Sequence, residues 1–399
     1  MRHTVSMPAA LQDEPPGSDH GELALVMSGG GARAAYQAGV LRGLSRRFPT
    51  LAAPILTGVS AGAINQAYLA SMPGSFEEKA ERLVRLWSGL STDQVMEVGG
   101  FELLSKVVSW GLRLVSGGHI SWKRSQAMLS MEPLRQSLRW ILRAEDGRLT
   151  GIAENLANGS LSAVAVTTAS YGTGQSITWV QGRSIENWER ADRKGVQCEL
   201  DVEHVLASAA LPLVFPAVQI GSDYYGDGGM RLTAPLSPAI HLGANRILAI
   251  STRYLPQYPT YPRVGPSPSE VPYPPPAQVA GVLLGTIFLD QFDADALRLQ
   301  RINRLVREVP PDKRRGLRPV EILIIRPSED LGQLAKDYEA RLPKALRWME
   351  RGGGTKKDNA NNVLLSMLMF QRDYARRLIE VGERDAERYL EAAARLIEG

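Results

Sequence analysis

Short apolar runs that stop at glycine, each followed by apolar residues at helical spacing, set the pattern of the first part of the chain. LALVMS (23–28) ends in Gly29-Gly30-Gly31, and AAYQAGVLRGL then repeats its apolar positions with the period of a helix. This predicts strand, glycine loop, helix. The run at Pro54 to Thr57 leads into Gly58-Val59-Ser60-Ala61-Gly62 and then AINQAYLASM, a second strand, sharp turn and helix. Two such units in succession predict a parallel sheet. LSAVAVTTAS (161–170) and ITWV (177–180) read as further strands joined through Tyr171-Gly172-Thr173-Gly174-Gln175, and Val202 to Ala210 reads as a helix that Leu211-Pro212 stops. The runs at Ala217 to Ile220 and Arg246 to Ser251 flank Tyr224-Tyr225-Gly226-Asp227-Gly228-Gly229, so Asp227 is expected on a glycine-rich turn. Residues 253–276 hold nine prolines in twenty-four positions, which reads as an extended surface insertion. VEILIIRP (320–327) is then the last strand of the same sheet, and helices over KALRWME and residues 364–397 finish the chain.

Composition narrows the function classes. The chain has 399 residues and a formal charge of +4, a mild basicity that is too weak for a nucleic-acid binder and points instead to anionic membrane surfaces. Cys198 is the only cysteine, which excludes an internal disulfide or a multi-thiolate metal site and suits a reducing, cytoplasmic setting. Residues 1–21 lack the apolar core of a secretory signal and read as a disordered tail. No run approaches the roughly eighteen apolar residues of a spanning helix.

A serine between strand and helix on a tight turn is forced into a strained conformation that projects its hydroxyl, and its neighbours two positions away must be small. Gly58 and Gly62 meet that demand around Ser60. The glycine triplet offers the complementary part: amides on a loop without side chains can approach a substrate oxygen and hold a developing negative charge. The candidate oxyanion loop is Gly29, Gly30, Gly31, Ala32 and Arg33, where Arg33 either locks the loop, meets a phosphate, or is a solvated helix-start arginine. The same glycines fit a dinucleotide fingerprint, G-x-G-x-x-A. That motif needs an acidic residue at the end of the second strand, and the chain has no Asp or Glu between Glu22 and Glu77.

Ser60 needs a proton acceptor. Of the five histidines, His3 and His20 lie in the tail, and His241 alone follows Asp227 in the order Ser, Asp, His of α/β-hydrolases. PLSPAIHLGANRILAIS places His241 near a helix C-terminus, whereas a triad histidine needs a loop facing the elbow. Asp227, with Gly228 and Gly229 allowing close approach, is the better candidate, because a carboxylate within hydrogen-bond reach can take a serine proton directly.

With these residues in place, the chain resembles a bacterial patatin-like phospholipase. The resemblance rests on GGGARAAYQAG (29–39), GVSAG (58–62) and DGG (227–229), in that order, and extends through roughly residues 22–330. It implies a three-layer α/β/α fold with a mostly parallel central sheet, followed over 331–399 by a helical C-terminal extension. It also implies hydrolysis of phospholipid or lysophospholipid esters through a Ser60-Asp227 dyad and an acyl-enzyme, with no metal or organic cofactor. One departure stands at Ala34, where the family usually has glycine.

Such an enzyme is expected to work peripherally at the inner membrane face. FELLSKVVSWGLRLV (101–115), with Lys106 and Arg113 at the edges of its apolar face and Trp110 and Trp122 nearby, is one candidate docking helix. Residues 298–318, with eight Lys or Arg against Glu308 and Asp312, are another. The alternatives are a generic esterase with a Ser60-Asp227-His241 triad and a non-catalytic lipid-binding regulator.

Overall fold

The structure, a computed structural model, describes residues 22–97, 129–183, 187–212, 214–255, 285–287, 291–342 and 361–398. Its strands are β1 (Glu22–Met27), β2 (Ile55–Val59), β3 (Ala163–Ser170), β4 (Ser176–Gly182), β5 (Arg193–Gln197), β6 (Val218–Ile220), β7 (Asp223–Asp227), β8 (Ala244–Ile250) and β9 (Glu321–Ile325). They form one sheet in which seven strands follow the order β5-β4-β3-β2-β1-β8-β9, while β7 pairs with the end of β3 and β6 pairs with β7. Every pairing from β3 across to β9 is parallel, while β4 lies antiparallel to β3. β1 and β2 are almost continuously apolar because a parallel sheet is covered on both faces.

The helices are α1 (Ala35–Arg47), α2 (Ala61–Ser71), α3 (Phe76–Gly89), α4 (Thr92–Val95), α5 (Glu132–Ile141), α6 (Thr150–Ala157), α7 (Val202–Ser208), α8 (Ser237–His241), α9 (Gln291–Glu308), α10 (Leu331–Ala335), α11 (Asn361–Leu368), α12 (Arg372–Arg388) and α13 (Leu390–Glu398). Alternation along β1 divides them into two layers. Leu23, Leu25 and Met27 join the larger core with α1, α2, α3, α5 and α12, whereas Ala24 and Val26 join a smaller one with Leu236, Ala239, Phe292, Ala296 and Leu299. The result is the expected α/β/α sandwich with a mostly parallel sheet and C-terminal helices.

Those C-terminal helices reach deep into the larger layer. α12 crosses α1 at backbone contact: a Cβ on Gly39 would stand 2.2 Å from the Ile379 carbonyl oxygen, and one on Gly382 would stand 2.3 Å from that of Tyr36. Only glycine permits this approach. Tyr36 Oη also donates to the buried Asp385 across the same crossing. The 364–397 stretch is helical in three pieces, broken after Leu368 and again at Tyr389.

β5 and β7 were not expected from the sequence. β7 matters most, since it turns Asp227 from a loop residue into the last residue of a strand. KALRWME, the 101–115 segment, Trp122 and residues 256–276 of the proline-rich tract lie outside the described residues.

Candidate active site

β2 and β7 approach the same edge of β3 from opposite ends. Val59 pairs with Thr167 and Asp227 pairs with the next residue, Thr168, so the two strands end facing each other. Ser60 and Asp227 are therefore neighbours by sheet register. Ser60 takes φ 55° and ψ −133°, a conformation costly for any residue but glycine and one tolerated where surrounding structure enforces it. What enforces it here is tight packing below and a hydrogen bond behind. A Cβ on Gly62 would stand 2.4 Å from the Met27 carbonyl oxygen, and one on Gly58 would stand 2.8 Å from that of Gly62. The Ser60 amide donates to Ser208 Oγ at 2.9 Å, and Ser208 in turn donates to the Thr167 carbonyl at 2.6 Å.

Asp227 is fully buried. Its amide donates to the Ala210 carbonyl, and its Oδ1 accepts from the Gly229 amide at 2.9 Å. Burial pushes the carboxyl from its ordinary 3.8 up to about 7, against the opposing effects of the Ser60 hydroxyl and the Gly229 amide, which favour the charged form. Among the described residues, Oδ2 has no partner at full hydrogen-bond geometry, so the Ser60 contact is a near approach rather than a closed bond. Gly228 lies against β3, where a Cβ would stand 2.2 Å from the Thr167 carbonyl oxygen.

The glycine loop passes directly over the serine. A Cβ on Gly29 would come within 2.9 Å of Ser60 Cβ. Gly30, with φ 150°, opens a turn of 3-10 helix from Gly31 to Ala34, and among the described residues the Gly30 and Gly31 amides donate to no acceptor. Ala34 is completely buried at the end of that turn. Arg33 is not a solvated helix-start residue. It is 4% exposed, and its Nε donates to Ser366 Oγ of α11 at 2.8 Å, so it ties the loop to the C-terminal helices. Gly31 meets the same helix at the Met367 backbone.

Ser60 and Asp227 border a pocket with about 870 Å³ of empty space, counted with its open mouth. α3 supplies Leu83, Leu86 and Trp87, α5 supplies Leu134, Leu138 and Ile141, and the C-terminal segment adds Met367, Leu368 and Phe370. A hydroxyl and a carboxyl thus sit beside a hydrocarbon-lined space.

A family model described as patatin-like phospholipase matches residues 25–240, which contain the elbow, the glycine loop and the Asp-Gly-Gly turn. The chain belongs to the patatin-like phospholipase family. No curated protein matches it. Among solved structures, the patatin-like chain is similar to VipD from Legionella pneumophila, at 11% identity and TM-score 0.36 over 90% of this chain and 67% of that one. It is also similar to human GIVD cytosolic phospholipase A2 in complex with a fluorophosphonate inhibitor, at 12% identity and TM-score 0.43 over 94% and 59% of the two chains. A third is full-length ExoU of the Pseudomonas aeruginosa type III secretion system in complex with SpcU, at 20% identity and TM-score 0.25 over 59% and 45%. The chain therefore spans between 45% and 67% of the length of these three.

Other sequence candidates of the patatin-like chain fall away from Ser60. His241 ends α8, stacks on Trp188 at 4.9 Å between ring centroids, and does not line the pocket. The basic 298–318 stretch begins within α9 and ends just before β9. Because β9 runs parallel to β2 and Ser60 follows the end of β2, residues 304–318 lie toward the opposite end of the sheet. Among the described residues, no helix is long and apolar enough to cross a membrane. Two contributors escaped the sequence reading. Ser208 carried no motif, and Ser366 lies hundreds of residues from the loop it holds.

Proposed function

We propose that the chain is a lipid acyl hydrolase of the phospholipase A or lysophospholipase type, with Ser60 as nucleophile and Asp227 as its proton acceptor. The observation that carries this reading is the meeting of two strand ends beside an apolar pocket, one ending in a strained serine and the other in a buried carboxyl. Gly58 and Gly62 shape the elbow, and Gly228 and Gly229 let the Asp227 turn close against β3.

The fatty acyl chain occupies the pocket, which leaves its ester carbonyl over Ser60. As Ser60 Oγ bonds to the carbonyl carbon, its proton passes to Asp227 Oδ2 and the carbonyl oxygen becomes an oxyanion. The loop from Gly29 to Arg33 receives that charge, with the open amides of Gly30 and Gly31 as donors. Collapse breaks the bond to the alcohol oxygen, which departs with the proton from Asp227 and leaves Ser60 acylated. Water then repeats the sequence: it gives a proton to Asp227, adds to the acyl carbon, and releases the fatty acid as Ser60 regains its proton. A carboxylate raised to about 7 is a stronger base than an ordinary one and still ionises near neutral pH. The lipid is met at the end of the sheet that carries Ser60, with the protein lying on the membrane surface.

Purified protein incubated with micelles of phosphatidylcholine or lysophosphatidylcholine is expected to release fatty acid, detected by mass spectrometry. Ser60→Ala abolishes release, and His241→Ala keeps it within about twofold. Release that survives Ser60→Ala, or that His241→Ala abolishes, overturns the assignment.

A further inference from the structure

The Gly29 carbonyl is held by two hydroxyls that follow the ends of different strands. Thr252, two residues past the end of β8, donates its Oγ1 to this oxygen at 2.7 Å, and Ser28 Oγ donates to it at 3.2 Å. Ser28 Oγ also accepts from the Thr252 amide at 3.1 Å, which closes a small ring of hydrogen bonds at the root of the glycine loop. All of this is shielded from solvent, with Thr252 only 1% exposed. Its place is fixed in turn by the sheet, where the Ser28 amide donates to the Ile250 carbonyl and the Ser251 amide to that of Ile325.

A trans peptide places its carbonyl oxygen and amide hydrogen on opposite sides. Anchoring the Gly29 oxygen on Thr252 therefore aims the Gly30 N–H away from Thr252. Without Thr252 the Gly29 oxygen keeps only the longer Ser28 contact, at 3.2 Å, and neither glycine has a side chain to oppose rotation of the Gly29-Gly30 peptide. Gly30 depends on the same neighbour for space: a Cβ there would stand 2.5 Å from Thr252 Oγ1. The hydroxyl thus seats against Gly30 and bonds to Gly29 at once.

We propose that Thr252 is a positioning residue for the reaction, holding the Gly29-Gly30 peptide in the one orientation that presents the Gly30 amide to the substrate oxyanion. This rests on the assignment of the glycine loop and Ser60 made above. Thr252 touches no substrate and is absent from the pocket lining. Its effect is on the transition state, where the oxyanion exists, and not on binding of the acyl chain, so its loss lowers kcat and leaves KM alone.

The experiment compares Thr252→Val, which keeps the shape and removes the hydroxyl, with Thr252→Ser, which keeps the hydroxyl. Hydrolysis of a soluble p-nitrophenyl ester is measured on both, with circular dichroism to check the fold. Thr252→Val is expected to lose roughly 10²-fold in kcat at constant KM, in the range found when one oxyanion donor is lost, and Thr252→Ser stays near the unmodified protein. If Thr252→Val does not fold, Thr252→Ala against Thr252→Ser makes the same comparison. A kcat that Thr252→Val or Thr252→Ala leaves unchanged, an equal fall in Thr252→Ser, or a change confined to KM overturns the proposal. Ser60→Ala is run beside them: if it keeps activity, the reading of the site has failed, and if it is inactive, the result belongs to Thr252 alone.

Discussion

Replacing Asp227 by asparagine keeps the shape of the side chain and removes its charge, so activity and stability are expected to move in opposite directions. The carboxyl is raised from its ordinary 3.8 to about 7 by burial. Three units at about 1.36 kcal/mol each put the cost of keeping it ionised in the folded chain at about 4 kcal/mol, an upper figure because the site can relax. The sign follows from proton counting. Between roughly pH 4 and pH 7 the folded chain holds a proton that the unfolded chain has released, so stability falls as pH rises through that window and is level outside it. Asparagine does not titrate, so the variant escapes this fall. Measured by urea unfolding followed by circular dichroism, the stability of Asp227→Asn relative to the unmodified protein is expected to climb by up to about 4 kcal/mol from pH 4 to pH 8. Over the same pair, hydrolysis of a soluble ester at pH 8 should drop by roughly 10²- to 10⁴-fold, the usual contribution of a general base. A stability difference that does not vary with pH would refute the buried, raised carboxyl. A variant that keeps its activity would refute its role as base.

In the unmodified protein, kcat/KM for the soluble ester is expected to rise about tenfold per pH unit on the acid side and to level off near pH 7, as the carboxyl ionises; a midpoint near 4 would contradict the raised value. Gly39→Ala forces a Cβ against the Ile379 carbonyl and is expected to cost about 1–3 kcal/mol in denaturant unfolding, with activity lost as α12 is pushed from α1. An unchanged midpoint would mean that the crossing is loose. Ser366→Ala leaves the buried Arg33 Nε without its partner and should cost about 1–3 kcal/mol and lower kcat, as read by unfolding and turnover together. Reversing charge at Arg304 and Arg307 is expected to leave hydrolysis of anionic vesicles unchanged, since these side chains lie away from the Ser60 end of the sheet; a large loss would place the membrane there instead.

The sequence made the elbow, the glycine loop and the Asp-Gly-Gly turn legible because each depends on glycine at a fixed spacing, and such spacing survives without any knowledge of tertiary contacts. The central strands were legible for a related reason: full burial on both faces leaves an uninterrupted apolar run. β7 was not. DYYGD has polar ends and a glycine; its first three residues pair with β6 across the tight Gly221-Ser222 turn, a local signal that the sequence reading passed over, whereas Gly226 and Asp227 pair with the last residues of β3, which no local pattern announces. Arg33 illustrates the same limit from the other side, since an arginine at a helix start is ordinarily solvated and only the distant Ser366 explains its burial. By helix propensity alone the glycines of the α1–α12 crossing weaken their helices, and their purpose emerges only where the two backbones meet.

The central claim is that Ser60 is a nucleophile armed by Asp227, and labelling with a fluorophosphonate, mapped by mass spectrometry, tests it most directly. The account predicts a single phosphonylated residue, Ser60, in the unmodified protein, no adduct in Ser60→Ala, and a labelling rate reduced by at least about 10²-fold in Asp227→Asn at pH 8. Labelling of Asp227→Asn at the unmodified rate, or an adduct at another serine with Ser60 untouched, would contradict it.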